Sequence, residues 1–144
     1  MQDYYCVVKS NYFHVKDVEK FKEVIRKTEG YEHDLNVWEQ TDEKGLPIFG
    51  FGVYGGILGI KNSPEDDYDS ANQNFIEALQ QCVTEDDAII ILEVISNQIK
   101  YVIGDAMIIT SSDYRGLDLT NIAIETAAQM LNNPDWDTEC DYYF

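Results

Sequence analysis

Two β-branched runs on either side of a short polar break constrain this chain more than any other stretch. From Ala88 the sequence reads Ala-Ile-Ile-Ile-Leu-Glu-Val-Ile. Ser96-Asn97-Gln98 interrupts it, and Ile-Lys-Tyr-Val-Ile-Gly-Asp-Ala-Met-Ile-Ile-Thr runs on to Thr110. Residues of this type favour extended backbone, and two such runs around a polar break predict an antiparallel hairpin. Ala88 to Leu92 is apolar at nearly every position, which predicts a strand covered on both faces, in the middle of a sheet. The hairpin's only charges are Glu93, Lys100 and Asp105, so it reads as scaffold and not as site.

The other segments fit around it. Tyr4 to Lys9 predicts a strand. Asp17 predicts the cap of a helix running to about Glu29, with Val18, Phe21, Val24 and Ile25 on one face, basic residues outside, and Gly30 as its stop. Leu35–Thr41, Leu46–Val53 and Ile57–Ile60 are strand-like, separated by turns at Asp42–Gly45 and Gly55-Gly56. Ser70-x-x-Gln73 has the form of a capping box opening a second helix, with Phe75, Ile76, Leu79 and Val83 as its buried stripe. After the hairpin, Asp113–Gly116 reads as a turn and Thr120–Leu131 as a third helix, stopped at Asn132-Asn133-Pro134. The expected fold is α+β: a mostly antiparallel sheet of about five strands with three helices packed largely on one face. At 144 residues it forms a single domain, 1–144, with a short acidic, aromatic tail from about residue 134.

Charge carries most of the functional information. Twenty-seven acids against ten bases give −17. Residues 1–31 hold six of the bases (Lys9, Lys16, Lys20, Lys22, Arg26, Lys27) and five acids. Residues 32–144 hold the other 22 acids and only Lys44, Lys61, Lys100 and Arg115. Such a body repels nucleic acid and anionic membrane and attracts basic surfaces. No apolar run is long enough to span a bilayer and no leader pattern is present, so a cytoplasmic protein is expected. Cys6, Cys82 and Cys140 lack paired spacing and read as thiols in a reducing compartment.

Several motifs carry chemistry elsewhere and are weak here. Gly50-Phe-Gly52-Val-Tyr-Gly55 has dinucleotide-binding spacing, but that motif needs a helix beginning at once, and Gly-Ile-Leu-Gly-Ile-Lys-Asn-Ser-Pro follows. A glycine-bent strand or bulge is the simpler reading. His14 and His33 have no ligand spacing and read as surface or local hydrogen-bonding residues. Asp135-x-Asp137-x-Glu139-x-Asp141 parallels the start of a calcium loop, without its sixth-position glycine or its final glutamate. No catalytic residue, cofactor or metal site is expected.

The acidic clusters remain. Glu65-Asp66-Asp67-Tyr68-Asp69 precedes the second helix, Glu85-Asp86-Asp87 follows it, and Asp135, Asp137, Glu139 and Asp141 alternate in the tail. Helix dipoles account for one or two of these acids. A net charge of about 2–8 is enough for solubility. The excess points to a binding role, with halophilic adaptation as the competing explanation.

Ser10-Asn11-Tyr12-Phe13-His14-Val15-Lys16-Asp17, followed by Lys20-Phe21, resembles the opening of small proteins of bacterial phages and mobile elements. Glu93-Val94 and Lys100-Tyr101-Val102 are similar to that group's late hairpin. The resemblance implies an anti-defence setting, in which anti-CRISPR and antirestriction proteins imitate DNA and occupy a nuclease's basic groove. It carries over no functional residue. The expected function is therefore a non-enzymatic inhibitor that blocks the nucleic-acid groove of a host defence nuclease, expected to be a CRISPR effector. Its partner-binding residues would be Glu65, Asp66, Asp67, Tyr68, Asp69, Glu85, Asp86, Asp87, Asp135, Trp136, Asp137, Glu139 and Asp141, with Tyr142, Tyr143 and Phe144 as further anchors. The alternatives are an immunity protein against a basic toxin, a phage-particle assembly protein, and a small metal-assisted carboxylate enzyme. The enzyme would bring two or more acids together in a concave pocket.

Overall fold

The computed structural model describes residues 4–97 and 101–140. The elements are β1 Tyr4–Ser10, α1 Val18–Lys27, β2 Glu29–Gly30, β3 Asn36–Thr41, β4 Pro47–Tyr54, β5 Ile57–Gly59, α2 Tyr68–Cys82, β6 Ile89–Asn97, β7 Tyr101–Ile109, β8 Tyr114–Asp118 and α3 Leu119–Met130. Six strands form one antiparallel sheet in the order β3-β4-β1-β6-β7-β8, and β2 pairs with β5 in a second, two-stranded sheet. The class is α+β, as expected, with more strands than five. The added main-sheet strand is β8, where Asp113–Gly116 reads as a turn. The chain does turn between Thr110 and Asp113, through a backbone hydrogen bond from Thr110 N to Asp113 O, but it then pairs with β7 from Tyr114 onward.

The inner face of the sheet holds the core. Val8 on β1, Phe49, Phe51 and Val53 on β4, Ile89 and Ile91 on β6, and Ile109 on β7 are all buried, and α1 and α2 cover them with Phe21, Phe75, Ile76 and Leu79. Phe13 sits at the centre, edge-on to Phe21 and to Phe51 with ring centroids 5.5 and 6.1 Å apart. Rings of this size bury more apolar surface than any other side chains here, and edge-to-face contacts add to that burial.

The starts of α1 and α2 rest on aspartates. Asp17 Oδ1 accepts from the amides of Glu19 and Lys20 at the head of α1. Asp67, not Ser70, caps α2: its Oδ1 accepts from Ser70 N at 2.8 Å, and Ser70 lies inside the helix. Helix α1 ends at Lys27, before Gly30. Thr28 turns extended while its Oγ1 donates to Val24 O at 2.7 Å. Gly30 belongs to β2, where an added Cβ would collide with the carbonyl of His33.

The outer face departs from expectation. Strand β6 is interior in strand order but is covered on one side only: Ile90, Leu92 and Val94 point outward and are exposed. The helices also divide. α1 and α2 lie on the inner face, whereas α3 begins on the outer one, because a Cβ built at outward-pointing Gly104 would meet the Leu119 side chain at 3.0 Å. Among the described residues no helix is long and apolar enough to cross a membrane.

Candidate functional site

Three groups of acidic side chains take different structural parts. At the head of α2, Asp66 and Asp67 are committed to the fold. Asp66 Oδ2 accepts from Asn62 N (2.9 Å), Ser63 N (3.3 Å) and Asn74 Nδ2 (3.1 Å), which closes the loop before the helix. The amide of Ser70 holds the Asp67 carboxyl below the usual aspartate range. Glu65, Tyr68 and Asp69 are exposed beside them.

At the other end of α2, Asp87 is also committed. Its Oδ2 accepts from His14 N at 2.8 Å and lies 2.9 Å from His14 Nδ1, while Oδ1 accepts from Ala88 N. The opposite ring nitrogen, His14 Nε2, is 2.6 Å from Asp42 Oδ2. One imidazole is thus held between carboxylates of the β3–β4 turn and of the α2–β6 loop. Hydrogen bonds that its ring donates to Asp42 first, then to Asp87, raise the His14 pKa above its ordinary value, and Asp42 is lowered in return. The expected role of His14 as a local hydrogen-bonding residue fits this geometry. His33 is exposed. Glu85 and Asp86 are exposed and project from the same loop.

In the tail, Asp135, Asp137 and Glu139 are exposed and Trp136 is half-buried. Asp141 and the anchors Tyr142, Tyr143 and Phe144 lie outside the described residues, as does Lys100 of the hairpin. The structure therefore does not gather the acids into one cluster. Glu65 and Asp69 stand at one end of α2 and Glu85 and Asp86 at the other, about 22 Å apart along a 15-residue helix. Among the described residues none of Glu65, Asp69, Glu85, Asp86, Asp135, Asp137 and Glu139 forms an ion pair; the pairs present involve Asp42, Asp87, Glu23 and Asp113.

A second acidic arrangement was not foreseen. Glu93 on β6 stands directly opposite Asp105 on β7, which stands opposite Asp118 at the end of β8. The three carboxylates form a row on the inner face, at the rim of a cavity of about 530 Å³ that Val8, Ile57, Phe75, Ile91 and Met107 also line. Burial, and then the charge of Asp105, push the Glu93 carboxyl above the ordinary glutamate range. Asp118 also caps α3 by accepting from Asn121 N. Among the described residues no three His, Cys, Asp or Glu side chains are placed to hold a metal ion.

Gly50 and Gly52 occupy regular ladder positions on β4, with no bulge. Gly52 is there because an added Cβ would stand 2.7 Å from Val8 O and 2.9 Å from the Trp38 ring. Gly55 and Gly56, in the turn to β5, take positive φ, as Gly59 does at the end of β5. No helix follows directly, so the spacing is that of a glycine-floored strand on which an aromatic side chain lies.

No protein-family model matches the chain, and no curated protein or solved structure shows significant similarity to it.

Proposed function

We propose that the chain is a non-enzymatic inhibitor that binds a basic, nucleic-acid-binding surface of another protein, of the kind a bacterial defence nuclease presents. The observation that carries this reading is the set of seven exposed acids that form no ion pair among the described residues, spread from the head of α2 to its far end and along the tail. Carboxylates with no cation beside them are poised to exchange solvent and counterions for a partner's lysines and arginines, as phosphates do. Of the acids expected to make contact, Glu65, Asp69, Glu85, Asp86, Asp135, Asp137 and Glu139 keep that part. Asp66, Asp67 and Asp87 serve the fold first. Tyr68, 65% exposed next to Asp69, is the best-placed aromatic anchor. Reversing Glu65, Asp69, Glu85 and Asp86 to Lys tests the proposal: binding to the basic partner should fall at least tenfold with the fold intact, and unchanged binding rejects it.

One observation favours a second reading. The Glu93–Asp105 pair at a half-enclosed cavity sets a carboxyl raised above the ordinary glutamate range, by burial first, directly opposite a second acidic side chain, the pairing that general acid catalysis uses. A small carboxylate-dependent enzyme would use that pair. The two readings separate on one variant: Glu93→Gln would abolish such an activity and leave the binding of a basic partner unchanged.

A further inference from the structure

We propose that His14 is a proton-operated latch, which holds the β3–β4 turn against the α2–β6 loop and releases the turn when the ring loses a proton. The inference does not rest on the inhibitor reading. Its ground is the number of N–H groups that the geometry requires. Nε2 lies 2.6 Å from Asp42 Oδ2 and Nδ1 lies 2.9 Å from Asp87 Oδ2. An ionised carboxylate only accepts, so both ring nitrogens donate, and only the imidazolium carries two N–H groups. Both carboxyls are held in the charged form. Asp42 is lowered chiefly by the hydrogen bond from the His14 ring, and Asp87 is lowered because bonds from the His14 amide and ring outweigh its burial.

The neutral ring has one N–H to give, and its two partners are not equally fixed. Asp87 is pinned, because Oδ2 also accepts from His14 N and Oδ1 accepts from Ala88 N, each at 2.8 Å. Its loop is tied to the strand ahead of α1: Val15 bridges Val83, and Asn11 Nδ2 donates to Ala88 O at 3.0 Å. The turn bonds to itself instead. Asp42 Oδ1 accepts from Lys44 N and Leu46 N, and Asp42 N donates to Leu46 O. Among the described residues, His14 is the turn's only hydrogen-bonded link outside the β3–β4 hairpin. The remaining proton therefore stays on Nδ1, facing Asp87. Nε2 then presents a lone pair to a carboxylate oxygen at 2.6 Å, a repulsive contact, and the turn is the part free to move.

The surroundings set when and where this acts. The groups facing His14 are Asp42, Glu43 and Lys44 from the turn and Asp86 and Asp87 from the loop, and Lys16 follows in its own segment. Four acids against two bases favour the charged ring, so release falls above the ordinary histidine value of about 6.5. Turn and loop enclose a cavity of about 580 Å³, with Glu43 and Leu46 on one side and Thr84 and Asp86 on the other. The exposed acids Glu43 and Asp86 share its rim in the latched form, and release parts them. Protonation thus biases a two-state element, as histidine switches do elsewhere.

Nuclear magnetic resonance of the full chain between pH 6 and pH 9 tests the latch. Nuclear Overhauser contacts between the His14 ring and the Asp42 β-protons should be present at pH 6 and at least tenfold weaker at pH 9. Ring nitrogen shifts should show two protonated nitrogens at pH 6 and the Nδ1–H tautomer at pH 9. The amides of Asp42–Leu46 should titrate with the same midpoint as the ring. Asp42→Asn supplies the sharpest contrast, since a side-chain amide donates to a bare Nε2 and opposes an N–H there. That variant should hold the turn at pH 9 and release it at pH 6. Contacts that persist at pH 9 in the wild type overturn the proposal, as does an Nε2–H tautomer or a ring still doubly protonated there. An Asp42→Asn variant with the wild-type pH dependence overturns it too.

Discussion

Glu93 and Asp105 face each other across the β6–β7 ladder on the inner side of the sheet, the side that α1 and α2 cover. Directly opposed like charges destabilise a strand pair, and burial adds to the cost. A glutamate raised above its ordinary range is favoured in its protonated form. The folded state is therefore penalised as pH rises from the ordinary glutamate value through the raised one, and the penalty is complete above it. Glu93→Gln should raise the melting temperature at pH 7 by about 1–3 °C, corresponding to less than ~1 kcal/mol in a chain of this size. The gain should disappear near pH 4. Calorimetry at both pH values checks this, and an equal gain at both would show that charge is not the cause.

His14 works in the opposite sense. Its folded pKa is raised, so its contribution is complete below the ordinary histidine value and is lost as pH rises through the raised one. Asp42 and Asp87 are lowered, so their contribution is lost only in acid. Together they predict greatest stability from about pH 5 to 6.5 and a decline above it. His14→Gln should flatten that decline in melting temperature measured between pH 6 and 9.

The acids before α2 should divide by role. Asp66→Ala and Asp67→Ala each remove hydrogen bonds that close the loop and cap the helix, and should lower the melting temperature. Glu65→Ala and Asp69→Ala should leave it within about 1 °C, since neither acid has an ion-pair partner among the described residues. Thermal melts of the four variants decide the matter.

Phe21 joins α1 to the aromatic cluster through Phe13 and Phe49, and is fully buried. Phe21→Ala should cost about 3–5 kcal/mol in urea unfolding, the range for deleting a buried ring.

Much of the fold was legible in the sequence. The Ile-rich run and its polar break locate β6 and β7, because β-branched runs have few other solutions. Asp17 followed by the Val18, Phe21, Val24, Ile25 stripe locates α1. Strand β8, Tyr-Arg-Gly-Leu-Asp, has no β-branched residue and is held by its pairing with β7, which no local pattern records. The row of Glu93, Asp105 and Asp118 was hidden for a similar reason. It exists only in one register, and a one-residue slip would turn Asp105 to the other face. The committed parts of Asp66 and Asp87 depend on Asn74 and His14, 8 and 73 residues away. The exposure of Leu92 and Val94 could not be told from burial, since a continuous apolar run reads the same either way.

The proposed partner is a basic nucleic-acid-binding surface, engaged by acids that form no ion pair among the described residues. Affinity capture from bacterial lysate, with immobilised wild type and the Glu65, Asp69, Glu85, Asp86→Lys variant side by side, tests it most directly. Wild type should retain a basic nucleic-acid enzyme at 50 mM NaCl. That enzyme should be released by 500 mM NaCl or by added duplex DNA, and the variant should retain at most a tenth as much. Equal capture by the two proteins, or a captured partner that neither salt nor DNA displaces, would contradict it.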